Sequence, residues 1–133
     1  MKPIVDLSVL SGLEVSQCIV DVGFSLRMAR ATESALLRIE GSFRLRLDKE
    51  WVLDPETEPS SLAPALGLLG RTIDSAGVRA SGELELSFSG DAWLLVNAGR
   101  EYEAWTLSLP DNTLIVSGTD GEVSVFGANP TGR

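Results

Sequence analysis

The chain has no histidine and one cysteine, which leaves little room for catalytic chemistry. Without an imidazole there is no Ser-His-Asp or Cys-His arrangement, no His-based zinc site and no side chain that titrates near neutrality by default. Cys18 cannot form a thiolate zinc cluster alone. Between Gln17 and Ile19 it reads as a packing residue, since a reactive thiolate needs a basic neighbour. Carboxylates are what remain. Glu101 and Glu103 lie two apart on a predicted strand and would share a face with Trp105, and two carboxyls beside an aromatic platform could serve a sugar. The plainer reading is a solvated strand edge. Glu83 and Glu85 form a similar pair, read as solvated. Arg44 and Arg46 share a face and suit either an anionic ligand or cross-strand pairing with acids. Gly67 and Gly70 lack the spacing and the following Lys of a phosphate-binding loop. No catalytic residue, metal ligand or cofactor is expected.

Charge points toward a partner. The net charge is −8 over 133 residues. Residues 1–46 carry +1 and residues 47–133 carry −9. The densest piece is 48–58, DKEWVLDPETE, with five acids against one Lys. A nucleic-acid backbone would be repelled, whereas a basic protein would be attracted and steered. Acidity of this order also serves solubility alone. Trp51 stands at the start of this stretch, where an exposed aromatic suits a binding hot spot, and Pro55 stiffens a loop carrying Asp54, Glu56 and Glu58. No apolar run approaches the ~20 residues of a membrane span. The N-terminal stretch does not read as a signal peptide, and a single Cys fits a reducing compartment, so a cytoplasmic protein without membrane contact is expected.

The elements that must position these residues are mostly strands. Residues 13–22, 23–30, 34–40 and 42–48 alternate apolar and polar side chains, most clearly Phe43, Leu45 and Leu47 against Arg44, Arg46 and Asp48. Residues 51–53 extend this series. Residues 71–78, 82–88 and 92–97 resume it. The stretch 101–126 reads as three strands joined by turns at Pro110-Asp111-Asn112 and Gly118-Thr119-Asp120-Gly121, with Leu114 and Val116 toward a core. Residues 60–69 are the helix candidate, with Leu62, Leu66 and Leu69 as its buried stripe, Pro64 in the first turn and Gly70 as the stop. The tail 127–133 reads as loose.

A shift of 58 positions aligns 10–41 with 68–99 without gaps, with seven identities, among them Leu26/Leu84, Leu36/Leu94 and Leu37/Leu95. This predicts one domain over 1–133 built from two related units, about 10–67 and 68–126. Each unit would have an apolar face needing cover. The fold expected is therefore mainly antiparallel β with one short helix, as a sandwich or partly closed barrel. The alternative is an α+β arrangement, a single curved sheet with the helix on one face. Leu36, Leu37, Leu94 and Leu95 read as apolar on both faces of central strands.

Leu10-x-Gly12-x-x-Val15, Leu66-x-Leu68-x-Gly70-x-x-Ile73, Tyr102-Glu103-Ala104-Trp105 and Asp120-Gly121-Glu122 resemble a family of small, uncharacterised actinobacterial proteins, a domain of unknown function. That resemblance covers most of the chain through turns and core positions and implies no catalytic residue. In size and composition the chain is also similar in style to immunity proteins that neutralise toxins. A non-enzymatic domain that binds a basic protein partner is the first expectation. A small-ligand binder with Arg44, Arg46 or Trp105 at the mouth of a pocket between the halves is the second, and a hydrolase using Glu101 and Glu103 the third.

Overall fold

The structure, a computed structural model, describes residues 5–99 and 103–127. Two antiparallel sheets pack face to face. The first has the order β1-β2-β3-β9-β10-β11, from Glu14–Val20, Phe24–Arg30, Glu33–Ile39, Trp105–Ser108, Leu114–Ser117 and Val123–Phe126. The second has the order β5-β4-β8-β7-β6, from Glu50–Leu53, Phe43–Arg46, Trp93–Val96, Leu84–Phe88 and Ile73–Val78. The expected β sandwich is what forms, not a single curved sheet, and the sheets do not close into a barrel.

Alternation does most of the work. In β4, Phe43 and Leu45 are buried while Arg44 and Arg46 are exposed. Each strand delivers its inner residues to one apolar core shared by both sheets. Phe24 of the first sheet stacks on Phe43 of the second, with ring centroids 5.7 Å apart. The sheets are joined at one corner. There the Val15 N–H donates to the Arg71 carbonyl and the Ile73 N–H to the Leu13 carbonyl, both at 2.8 Å.

The turns follow their residue types. Asp120 and Gly121 take φ of 57° and 75°, and the Glu122 N–H donates to the Thr119 carbonyl at 3.1 Å. This is the two-residue turn whose twist matches a hairpin. Gly90 and Asp91 repeat it with φ of 75° and 64°. At the other predicted turn, Asp111 accepts the Thr113 N–H at 3.0 Å and Asn112 takes φ of 74°.

Strands β1–β3 and β6–β8 are both three-stranded meanders with the same order and direction. Each begins with a register shift, between Val15 and Gln17 in one and between Ile73 and Ser75 in the other. Neither meander is a sheet by itself. β3 is continued by β9 and β8 by β4, so each half of the chain completes the other's sheet. The ungapped offset of 58 fails beyond β1. The hairpin from Val78 to Leu84 is two residues longer than that from Val20 to Phe24, and the ladders match Leu26 with Leu86 and Leu37 with Leu94.

Three further expectations are corrected. Residues Pro59–Leu68 form a 3₁₀ helix, not an α-helix, and bury Leu62, Ala65 and Leu68. Three residues per turn puts i, i+3 and i+6 on one side, which leaves Leu66 and Leu69 exposed. Pro64 sits inside this helix, not in its first turn. In β10 the core takes Ile115 and Ser117, and Leu114 and Val116 lie on the outer face, only partly covered. Of the four paired leucines, Leu37, Leu94 and Leu95 are buried and Leu36 is half-buried. A two-layer sandwich covers only the inner face of a central strand, so a leucine on the outer face depends on its neighbours for cover.

Candidate functional site

Two of the sequence candidates serve the core. Trp105 is 1% exposed and its indole N–H donates to the Gly82 carbonyl at 3.1 Å. It therefore cannot stand at the mouth of a pocket or act as a platform for Glu101 and Glu103. Glu103 is exposed ahead of β9, and Glu101 lies outside the described residues. Trp51 is half-buried against the core, with Lys49 Nζ 5.1 Å from its ring centroid. Its Nε1 is buried and finds no acceptor among the described residues. Trp51 alternates onto the inner side of β5, so it anchors the acidic segment and is not its exposed tip.

The acidic loop has a fixed shape. Asp54 Oδ1 accepts the Glu56 N–H at 2.9 Å, and the Asp54 carbonyl accepts the Thr57 hydroxyl at 2.7 Å. The Ser61 hydroxyl donates to the Glu58 carbonyl at 2.6 Å, and Pro55 is buried. Asp54 is thus occupied in holding the loop, which presents Glu56 and Glu58 to solvent.

The structure gathers the other candidates on the outer face of the five-stranded sheet. Cross-strand pairing sets Glu50, Arg46, Trp93 and Ser87 in one row and Val52, Arg44, Leu95 and Glu85 in the next. Trp93 projects from a central strand onto this face, the side that usually carries polar residues. The Arg46 guanidinium lies 5.2 Å from its ring centroid, a cation–π contact. The Trp93 indole N–H donates to Glu85 at 2.6 Å, and Arg79 pairs with Glu85 at 3.2 Å and with Glu83 at 3.6 Å. The Trp93 hydrogen bond, with Arg79 behind it, holds the Glu85 carboxyl below its ordinary range against the opposing effect of burial. Glu85 is thus not the solvated residue expected from sequence. Arg44 makes no ion pair among the described residues. Val52, at 74% exposure, is the apolar end of its row. Sequence reasoning named Arg44 and Arg46 but missed Trp93, because Trp93-Leu94-Leu95-Val96 is apolar on both faces and carries no alternation to show which side the indole takes.

A recess of about 780 Å³ is lined by Ser81, Glu83, Asn97, Ala98, Gly99, Asp120 and Gly121. Elsewhere, burial pushes the Cys18 thiol up, away from thiolate reactivity. Among the described residues no cluster of three or more Cys, Asp or Glu could hold a metal ion, and no helix is long and apolar enough to cross a membrane.

A face with a central aromatic, two arginines and a charged rim has the composition of a contact surface. Comparison with known proteins supplies no activity to set beside it. No curated protein and no solved structure matches the chain. One family does, over residues 7–127, nearly the whole length and every strand of both sheets: the chain belongs to the family of unknown function DUF6188.

Proposed function

We propose that this domain is a non-enzymatic protein-binding module, and that its binding face is the outer surface of the five-stranded sheet with the acidic loop at its edge. The observation that carries this is Trp93, a large aromatic kept out of the core and fixed on the solvent side between Arg46 and Glu85. Fixing an aromatic before contact lowers the entropy lost on binding. Leu95 sits beside it, and Arg44, Glu50, Glu83 and Arg79 form a rim of both signs. Beyond the rim, Glu56 and Glu58 add the negative field that would steer a basic partner. Capture of a basic toxin, an immunity-type role, is one form of this reading. A second reading, binding of a small polar ligand, rests on the recess beside Glu83 and Asn97.

The test is capture from native lysate by the wild type, by Glu50→Lys/Trp93→Ser, and by Glu33→Lys on the opposite sheet as a charge-matched control. A basic protein retained by wild type and control but lost by the double variant is the expected result. Equal retention by all three overturns the assignment of the face.

A further inference from the structure

β6 and β11 are edge strands of different sheets, and a cleft of about 550 Å³ lies between them, lined by Val5, Val78, Ala80, Val123 and Val125. At one end the loops leading to the two edges touch. A Cβ on Gly82 would strike the Gly121 carbonyl, and Trp105 fixes Gly82 from the core side. Beyond that contact the edges stand apart.

The cleft is an unfinished part of the sandwich. Val125 pairs with the fully buried Ile115 and so points to the inner side of its sheet, yet it is 54% exposed. Among the described residues the five-stranded sheet ends at β6 and brings no strand to cover it. In the other half of the chain the matching place is filled. The segment that follows β5 packs on β1 and buries Leu62, Ala65 and Leu68. The segment that follows β10 is β11 itself, and among the described residues no further segment fills the space beside it.

The backbone offers a ladder there. The Gly118 N–H donates to the Glu122 carbonyl at 2.7 Å. By antiparallel alternation, Ser124 and Phe126 turn their main-chain groups to β10, and Val123 and Val125 turn theirs to the open edge. The charges select the occupant. Arg79, the one cation lining the cleft among the described residues, is already paired with Glu83 and Glu85. Glu122 and Asp120 make no ion pair among those residues.

We propose that this cleft receives an extended segment of a partner protein, alternating apolar and basic residues, that adds to β11 as a further strand. Its apolar side chains enter between Val78 and Val125, and its basic side chains meet Glu122 and Asp120. An exposed strand edge left without a charged guard on its inner side is otherwise a liability. Arg79 borders both sites, but the apolar and acidic residues of this slot are distinct from the Trp93 face, and the proposal stands independently of it.

The probe is the synthetic peptide Lys-Val-Thr-Val-Lys-Val-Lys, titrated into the isotope-labelled full chain and followed by amide chemical shifts. The Val123 and Val125 amides are expected to shift and gain protection from exchange. Val125→Lys should weaken binding by about tenfold or more, and Trp93→Ser should leave it unchanged. A peptide with Glu in place of Lys should not bind. The proposal is overturned by equal binding of the acidic peptide, or by shifts that map to the Trp93 face. It is equally overturned if those amides are already protected in the free protein, whether by the chain's own termini or by a second copy. Should Val125→Lys impair folding, Glu122→Lys is the alternative variant and should weaken the basic peptide alone.

Discussion

Single residues carry two of the tightest constraints. Gly82 takes φ of +94°, in the region where a side chain is strained, and has no room for a Cβ beside Gly121. Gly82→Ala should therefore cost about 1–3 kcal/mol or more, read as a lower denaturation midpoint; an unchanged midpoint would mean the two loops do not touch in solution. Glu85 sets a pH dependence. Its folded value lies below the ordinary 4.5, first through the Trp93 hydrogen bond and then through Arg79. On acidification the unfolded chain therefore takes up this proton before the folded one. The stabilisation is complete above the ordinary value, shrinks as pH falls below it and is gone once pH has passed the folded value. Glu85→Gln should accordingly cost stability at pH 7, and its denaturant midpoint should converge with that of the wild type as the pH is lowered below the ordinary carboxylate range. Trp93 fluorescence should change over the same interval in the wild type only.

At the scale of elements, the 3₁₀ helix offers a contrast within one segment. Leu62→Ala should cost about 2–5 kcal/mol because Leu62 is buried, whereas Leu66→Ala should change stability by about 0.5 kcal/mol or less. Equal costs in a denaturant melt would point to the α-helical stripe instead. This is also where the sequence was least legible. Helical and 3₁₀ periods share the i, i+3 step, and Leu62, Leu66 and Leu69 outweigh Ala65 and Leu68 when leucines are counted; only the packing surface decides. Strand positions were legible because Arg44 and Arg46 between Phe43 and Leu45 leave one choice of face. β10 was not, since Leu114-Ile115-Val116 is apolar on both sides and its face depends on Leu107 opposite Ile115. At the candidate site the arginines were visible from their spacing. Trp93 was hidden by the rule that tryptophans go inside, and its neighbours Arg46 and Glu85 come from strands 47 and 8 residues away in sequence. A β5 prediction follows from the acidic segment. Glu50→Lys/Glu58→Lys should slow association with a basic partner and flatten its salt dependence while leaving the melt nearly unchanged; stopped-flow rates against ionic strength check it.

For the whole molecule the decisive feature is the interlock of the two halves. We propose that residues 10–67 and 68–126 are two copies of one unit, a reading supported by the matched register shifts 58 residues apart at Val15 and Ile73. Each unit, however, gives its first three strands to one sheet and its later strands to the other. In a chain cut after residue 67, β3 would lose β9, and Leu37 and Ile39 would lose Leu107 and Trp105, their cross-strand neighbours. The β4–β5 hairpin would lose β8 and stand alone, and a two-stranded hairpin is marginal in water. Residues 68–133 would face the same deficit, with β8 bare and β9–β11 separated from it. Neither fragment should fold as a monomer. Mixed, the two should recover the native sheets, because each supplies the edge the other lacks, and at high concentration a single fragment should fold only as a homodimer that repeats the exchange. The measurement is far-ultraviolet circular dichroism and amide-shift dispersion for each fragment and for the mixture, with mass by light scattering. A dispersed spectrum from either fragment at monomer mass would show that the halves are independent units and that the exchange of strands is not what holds the fold together.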